Sequence, residues 1–224
     1  MSALIYIVRH GETSANRQGI IQGQLDTKLN EEGVEQARLV GRTLEHVEWD
    51  AAWTSDLSRA KDLRSCEALR ERHMGELQGH PTPPHKRGSL PSSVESMAHF
   101  TRRILSWWDK SLLPHIASLP AFPSTIPTNT SHHRVLVTTH GGVINTLIKN
   151  LLSSGQAVLA EGVVIKPVYN ASVTILEVPF PLNQKGSKGR KREVARIIKF
   201  GSTRHLDERF GGGLVASNAD ELSQ

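Results

Sequence analysis

An arginine and a histidine stand together at the end of a short apolar stretch near the amino terminus. Residues 4–8 are Leu, Ile, Tyr, Ile and Val, which predict a buried β-strand, and Arg9, His10 and Gly11 follow directly. In open α/β sheets, ligands bind at the carboxyl ends of the strands. An imidazole can accept a phosphoryl group, and the planar fork of an arginine suits a phosphate. These residues therefore indicate a site for phosphoryl chemistry, with His10 as the candidate nucleophile.

Five sequence blocks spread over residues 4–153 extend this pattern. They are Arg-His-Gly-Glu-Thr from Arg9, Gln-Gly-Gln-Leu-Asp from Gln22, Thr-Ser-Asp-Leu-Ser-Arg-Ala from Thr54, Leu-Arg-Glu-Arg-His-Met-Gly-Glu from Leu69, and Val-Leu-Val-Thr-Thr-His-Gly-Gly from Val135. Together, and in this order, the blocks resemble the histidine phosphatase superfamily, also called the phosphoglycerate mutase-like fold. The carboxyl-terminal half looks more like the branch of small phosphatases and fructose-2,6-bisphosphatases.

The predicted fold is an α/β domain, because strand and helix patterns alternate along the chain. The resemblance implies a three-layer α/β/α sandwich around a mostly parallel central sheet. We assign residues 1–205 to one histidine phosphatase domain. Residues 206–224 are glycine-rich and then polar, and they predict a disordered tail.

The predicted elements begin with the strand over residues 4–8. Asn30 is a plausible N-cap for the helix that follows it, and Pro114 is expected to shorten or kink a later, long helix. The remaining predictions are helices over 31–47, 56–72, 93–116 and 142–152, strands over 51–54, 134–139, 171–178 and 194–200, and loops over 80–92 and 120–131.

The resemblance implies a catalytic role for five residues. His10 would attack phosphorus, and Arg9, Arg59 and His140 would surround the transferred group. Fixed cations stabilise the negative charge that spreads over the oxygens of a phosphoryl group in transfer. Glu71 would be the general acid that protonates the leaving oxygen, provided that its carboxyl group holds a proton.

A second set of residues is expected to bind substrate. By resemblance, Asn16, Gln22 and Gly23 would contact the phosphate or the rest of the substrate, although turn chemistry explains them about as well. Gly141 follows a predicted strand and starts a helix, where free backbone N–H groups favour an anion. Glu76 is the nearest rival to Glu71 for the role of acid.

The interval between Arg59 and Glu71 departs from the family pattern, because they are only twelve positions apart. The family has a longer interval, with a full helix and usually another strand. A continuous helix here would span about 18 Å and carry Glu71 away from Arg59 unless it bends. An element of the fold could therefore be missing, with a sheet edge exposed. Two alternatives stay open: a phosphoglycerate mutase-type transfer, and an inactive relative that binds a phosphorylated ligand or a protein.

Composition limits the partners and the compartment. A hydrophobic content of 38% and a charged content of 22% are typical of a soluble protein, and no stretch has the roughly 20 apolar residues of a membrane span. The single cysteine, Cys66, excludes an internal disulfide and favours the cytoplasm. The basic residues of 185–192 leave a nuclear location open, but the lack of interleaved aromatic residues argues against nucleic-acid binding as the function. We expect a small phosphorylated substrate, no cofactor and no metal; the oligomeric state is open.

Overall fold

A six-stranded sheet runs through the computed structural model, which describes residues 2–60, 64–82, 90–120, 132–180 and 194–206. Its strands lie in the order β2-β3-β1-β5-β6-β4. They are β1 (Ser2–Arg9), β2 (Ala51–Thr54), β3 (His132–Thr139), β4 (Ala157–Leu159), β5 (Val173–Pro179) and β6 (Ala195–Ser202). The pairings β1–β3, β2–β3 and β4–β6 are parallel, whereas β1–β5 and β5–β6 are antiparallel. The strands predicted over 171–178 and 194–200 correspond to β5 and β6, which pair with each other, and β4 is a strand that the sequence did not predict.

Helices cover both faces of the sheet. The α-helices are α1 (Ser14–Gln18), α2 (Glu31–Leu44), α3 (Met97–Trp107), α4 (Leu113–Ala117) and α5 (Gly141–Ser153). Short 3₁₀ turns occur at Glu67–Leu69, Gly75–Leu77 and Arg204–Leu206. None of the helices in the described ranges has both the length and the apolar character needed to cross a bilayer.

Alternation along β1 builds the two layers of core. Ile5 and Ile7 are buried on one face, where they pack in the same cluster as Phe100 of α3 and Ile144 of α5. Successive strand side chains point to opposite faces, so Val8 joins the core on the other face. There it packs in a cluster that includes residues of α2 and of the last 3₁₀ turn. The three-layer α/β/α architecture is confirmed.

The long predicted helix over residues 93–116 is divided in the structure. Ser96 caps α3 through a hydrogen bond from the N–H of His99 (3.2 Å). A π-helical turn over Trp108–Leu112 then separates α3 from α4. Pro114 stands in the first turn of α4. Because proline has no backbone N–H, it cannot donate the hydrogen bond that would continue a regular α-helix at this point. The expected effect of Pro114 thus takes the form of a local widening of the helix.

The predicted helix over residues 56–72 is wrong. After turns at residues 56–60, the chain returns to the end of β2, where the N–H of Thr54 donates to the carbonyl of Arg64 (2.8 Å). The N–H of Cys66 donates in turn to the carbonyl of Thr54 (2.8 Å), and Ser65 forms an isolated parallel bridge with Thr54. The chain therefore doubles back instead of extending, which removes the separation between Arg59 and Glu71 that a helix would impose.

Several sequence predictions fall on residues outside the described ranges. These are most of the loops over 80–92 and 120–131, the basic stretch over 185–192, and nearly all of the tail. The described part continues to Leu206, which we had placed in the tail. Leu206 is fully buried in the core on the α2 face. The disordered tail over 207–224 stays a prediction.

Two glycines bring the segment after β1 against the first turn of α2. A Cβ atom on Gly33 would collide with the carbonyl oxygen of Glu12, and a Cβ on Gly11 would collide with the carbonyl of Gly33. Asn30 fixes the same contact, because its N–H donates to the carbonyl of Glu12 (3.0 Å) and its side chain accepts from the N–H of Gly33 (2.8 Å). The loop that follows His10 is therefore held by backbone contact that only glycine permits.

We expect Gly33→Ala to destabilise the fold by about 1–3 kcal/mol or more, because the added methyl group overpacks rigid backbone. Gly41→Ala is the matched control on the same helix, since nothing lies within 4 Å of a Cβ there. That change should stabilise the protein by about 0.5–1 kcal/mol through helix propensity. Urea unfolding of the two variants measures both effects, and equal stabilities would contradict the close contact.

Candidate active site

The parallel pairing of β1 with β3 places two histidines side by side. Arg9 lies opposite Thr139 in the register, and the N–H of His10 donates to the carbonyl of Thr139 (3.0 Å). His10 and His140 each follow the last residue of their strand, and their ring centroids are 5.1 Å apart. The site thus lies at the carboxyl ends of parallel strands, as the sequence predicted.

A hydrogen bond fixes the tautomer of His10. Its Nδ1 lies 2.6 Å from the carbonyl oxygen of Gly11. A carbonyl only accepts hydrogen bonds, so Nδ1 carries the proton. In the neutral ring, Nε2 therefore holds the lone pair, which is the form a nucleophile needs.

The surroundings also keep His10 neutral. Burial lowers the pKa of His10 well below its usual value, and the positive charges of Arg59 and Arg9 lower it further. The hydrogen bond to Gly11 opposes these effects without outweighing them. The imidazole is consequently uncharged at neutral pH.

His140 is neutral as well, and it presents a buried nitrogen to the site. Burial, Arg59 and the neighbouring His10 lower its pKa well below the usual value, in that order. Its Nε2 lies 2.8 Å from Oγ of Ser55, whereas the buried Nδ1 has no hydrogen-bond partner among the described residues. A buried polar atom left in this state is explained by a ligand that supplies the missing bond.

Backbone carbonyls hold the two arginines of the site. Nη1 of Arg9 donates to the carbonyl of Val168 (2.6 Å). Arg59 donates from Nη1 to the carbonyl of Leu25 (2.6 Å) and from Nη2 to that of Gly23 (2.7 Å). Both side chains are buried, with 3% exposure for each residue. These hydrogen bonds to backbone carbonyls help to orient both guanidinium groups.

The carboxylate of Glu71 contacts the start of α5 at Gly142, two residues beyond His140. Its Oε2 accepts from the N–H of Gly142 (2.9 Å), and its Oε1 accepts from the N–H of Arg72 (2.8 Å). A Cβ at residue 142 would collide with this carboxylate, so the glycine makes room for it. Glu76, the rival acid, is exposed and bonds to Ser93 instead. The structure therefore places the carboxylate of Glu71, and not that of Glu76, against Gly142, two residues beyond His140.

The predicted substrate-binding residues contact the loop after β1 and Arg59, or begin α5. Asn16 accepts from the N–H of Thr13 (3.1 Å), and Gln22 accepts from the hydroxyl of Thr13 (2.8 Å), so both serve the loop after β1. Gly23 supplies a carbonyl to Arg59, and Gly141 is the first residue of α5. A direct contact of these four residues with substrate stays a prediction.

Two further polar residues contact the site histidines. Ser55 bonds to His140 and follows β2, so its place at a strand end was a usable signal in the sequence. Asn170 donates from Nδ2 to the carbonyls of His10 and Gly11 (both 3.2 Å). About 160 residues separate these partners, so no local pattern points to Asn170. Within the described ranges, no group of three or more His, Cys, Asp or Glu side chains is arranged to hold a metal ion.

Comparison with known proteins identifies a matching family and several related sequences. Residues 5–179 match the model of the histidine phosphatase superfamily, branch 1. A probable phosphatase of Schizosaccharomyces pombe is 26% identical over 231 residues, which cover 95% of this chain and 99% of the relative. A 2,3-bisphosphoglycerate-dependent phosphoglycerate mutase of Parvibaculum lavamentivorans is 26% identical over 223 residues, covering 85% of this chain and 96% of the relative.

A solved structure supports the same grouping. The native structure of a mycobacterial glucosyl-3-phosphoglycerate phosphatase superposes with a TM-score of 0.56 and 26% identity. The match covers 79% of this chain and 91% of that one. Since the family model spans well over half of the sequence, the chain belongs to the histidine phosphatase superfamily, branch 1.

Proposed function

We propose that this protein is a phosphatase that hydrolyses small, sugar phosphate-like monoesters through a phosphohistidine intermediate. One observation carries the proposal: Nδ1 of His10 is tied to the Gly11 carbonyl, which leaves Nε2 as an unprotonated nucleophile beside buried cations. Family membership and the phosphatases among the relatives support the same chemistry.

In the first step, Nε2 of His10 attacks phosphorus and the bond from phosphorus to the ester oxygen breaks. Arg9 and Arg59 balance the negative charge of the transferred group. If the Ser55 hydroxyl donates to Nε2 of His140, the proton of that ring lies on Nδ1, which then donates to a phosphoryl oxygen. The protonated carboxyl group of Glu71 gives its proton to the leaving oxygen.

In the second step, water attacks the phosphorus atom of phosphohistidine and the N–P bond breaks. The Glu71 carboxylate takes the proton from the attacking water, and His10 returns to its neutral form. Inorganic phosphate then leaves. The same carboxyl group thus serves as acid and then as base, which restores the starting state of the enzyme.

The position of Glu71 weakens the case for an inactive relative. That alternative rested on the short interval after Arg59, which would have removed the acid from the site. Instead, the backbone of residues 64–66 returns to Thr54, and the Glu71 carboxylate bonds to the first turn of α5. A mutase differs in needing a bisphosphorylated primer, so phosphate release without primer distinguishes the two activities. We retain the cytoplasm as the expected compartment.

We expect His10→Ala to abolish the release of inorganic phosphate from p-nitrophenyl phosphate, because the variant cannot form the covalent intermediate. His46→Ala is the matched control, since His46 is 88% exposed on the surface. EDTA should leave the wild-type rate unchanged. The proposal would be contradicted if His10→Ala turned over at a rate comparable to wild type, or if the wild-type protein lost activity in EDTA.

Glu71→Gln should have an effect that depends on the leaving group. Phenolate is a strong base that needs a proton to leave, whereas p-nitrophenolate leaves without one. We expect kcat for phenyl phosphate to fall by about 10²–10⁴-fold, with a smaller loss for p-nitrophenyl phosphate. Glu76→Gln is the control and should change neither rate, so a leaving-group effect in that variant would transfer the role of acid to Glu76.

The pH profile of kcat/KM should reflect the lowered pKa of His10. Attack requires the neutral ring, so the acidic limb attributable to His10 lies below pH 6.5, the ordinary value for histidine. Arg59→Met removes a charge that lowers this pKa, and the limb should therefore move to higher pH. Arg38→Met, an exposed arginine on α2, should leave it in place. Because ionisation of the substrate enters every profile, the comparison between variants is decisive; an unmoved limb in Arg59→Met would contradict the assignment.

A further inference from the structure

The backbone that carries Glu71 is held by side chains from distant parts of the chain. The carbonyls of Ala68 and Arg70 both accept from Nη1 of Arg103 (2.8 Å each). That of Glu71 accepts from Nη2 of Arg103 (2.8 Å) and from Nε2 of Gln24 (3.1 Å). Between them, the carbonyl of residue 69 accepts from the Thr139 hydroxyl (2.8 Å). Four consecutive carbonyls therefore each have a side-chain donor.

Arg103 uses all of its donors in this arrangement. A guanidinium group has five N–H bonds, one on Nε and two on each Nη. Three of them go to the carbonyls of residues 68, 70 and 71. The other two go to Glu95, from Nε to Oε1 (2.9 Å) and from Nη2 to Oε2 (3.1 Å). We call Arg103, Glu95 and the three carbonyls the Arg103 clamp.

Glu95 and Phe100 fix the guanidinium group itself. Burial alone would raise the pKa of Glu95, but the hydrogen bonds and charge of Arg103 bring it below its usual value, which keeps this partner ionised. The Glu95 carboxylate also accepts from the N–H of His73 (3.1 Å), just beyond Glu71. The guanidinium carbon of Arg103 lies 4.7 Å from the ring centroid of the buried Phe100. The clamp is thus anchored on α3, which is packed into the main core.

We propose that Arg103 is a positioning residue that holds Glu71 in register with the site for proton transfer. This inference rests on the proposed function, in which Glu71 is the acid and base. Over its described residues 64–70, the segment before Glu71 has one 3₁₀ turn and one isolated bridge, and the interval from Arg59 is short. The clamp supplies the hydrogen bonds that a longer helix or strand would otherwise provide.

The geometry explains why catalysis would depend on the clamp. The Glu71 carbonyl is bonded to Arg103, while the carboxylate of the same residue is bonded to the N–H groups of Arg72 and Gly142. Release of the carbonyl frees this backbone to move, and the carboxyl group moves with it. A misplacement of about 1 Å in an active site can cost about 10²-fold in rate.

The first test measures how Arg103→Met changes the turnover of two substrates of similar shape. We expect turnover of phenyl phosphate to fall by about 10²-fold, with a much smaller loss for p-nitrophenyl phosphate, whose leaving group needs no proton. Arg103→Lys keeps the charge but has only three donors, and should be intermediate. Arg102→Met, an exposed arginine beside it on α3, is the control and should match wild type. An equal loss on both substrates would overturn the proposal in favour of a general structural role.

A double mutant separates positioning from structure. If Arg103 acts through Glu71, Arg103→Met should cause no further loss in a Glu71→Gln background, because the group it positions is already gone. An independent loss in that background would overturn the inference. Thermal unfolding identifies variants that fail to fold, and Arg103→Lys then takes the place of Arg103→Met.

Amide hydrogen exchange tests the clamp without turnover. Arg103→Met should accelerate exchange at the N–H groups of Arg72 and Gly142, which the Glu71 carboxylate protects, while the later turns of α5 exchange at the wild-type rate. Unchanged exchange at both amides would overturn the clamp. If wild type hydrolyses neither phosphate ester, the proposed function fails, and the exchange result still decides whether Arg103 positions Glu71.

Discussion

The parallel pairing of β1 with β3 is the constraint on which the site depends. Eight residues of each strand are aligned, and the last pair is Arg9 with Thr139. His10 and His140 each stand one residue beyond that pair, so the sheet itself sets the 5.1 Å between their ring centroids. A slip by one residue would turn the side chains of one strand to the opposite face. The close approach of the two histidines is therefore a consequence of strand register.

Burial then divides the chemical roles among four basic side chains. Removal from water disfavours charge on His10 and His140, and the neighbouring arginines disfavour it further. Arg9 and Arg59 stay charged, because a guanidinium group does not lose its proton in proteins. In the proposed mechanism, the arginines supply positive charge, His10 supplies a lone pair, and His140 supplies a hydrogen-bond donor. A bound phosphate would bring negative charge to these buried guanidinium groups, and pairing is what stabilises a buried charge.

The segment between Arg59 and Glu71 shows where local patterns mislead. Its composition permits a helix, and helical spacing would have moved the acid out of the site. Residues far along the chain stabilise an irregular backbone instead, because the side chains of Arg103 and Thr139 donate hydrogen bonds to its carbonyls. Predictions for α2 and α5 succeeded because apolar periodicity and N-capping are local signals. The predicted helix over 56–72 failed because its competitor was a tertiary hydrogen-bond network.

By itself, the sequence determined the family, the α/β layering, and the candidate residues at the ends of two strands. It could do so because residue type, alternation and motif order are properties of neighbouring positions. Only the tertiary structure decided that His10 is tied through Nδ1, that Ser55 and Asn170 support the histidines, and that Glu71 reaches the start of α5. These features depend on burial and on hydrogen bonds between residues far apart in the chain, and both arise when the strands and helices pack together.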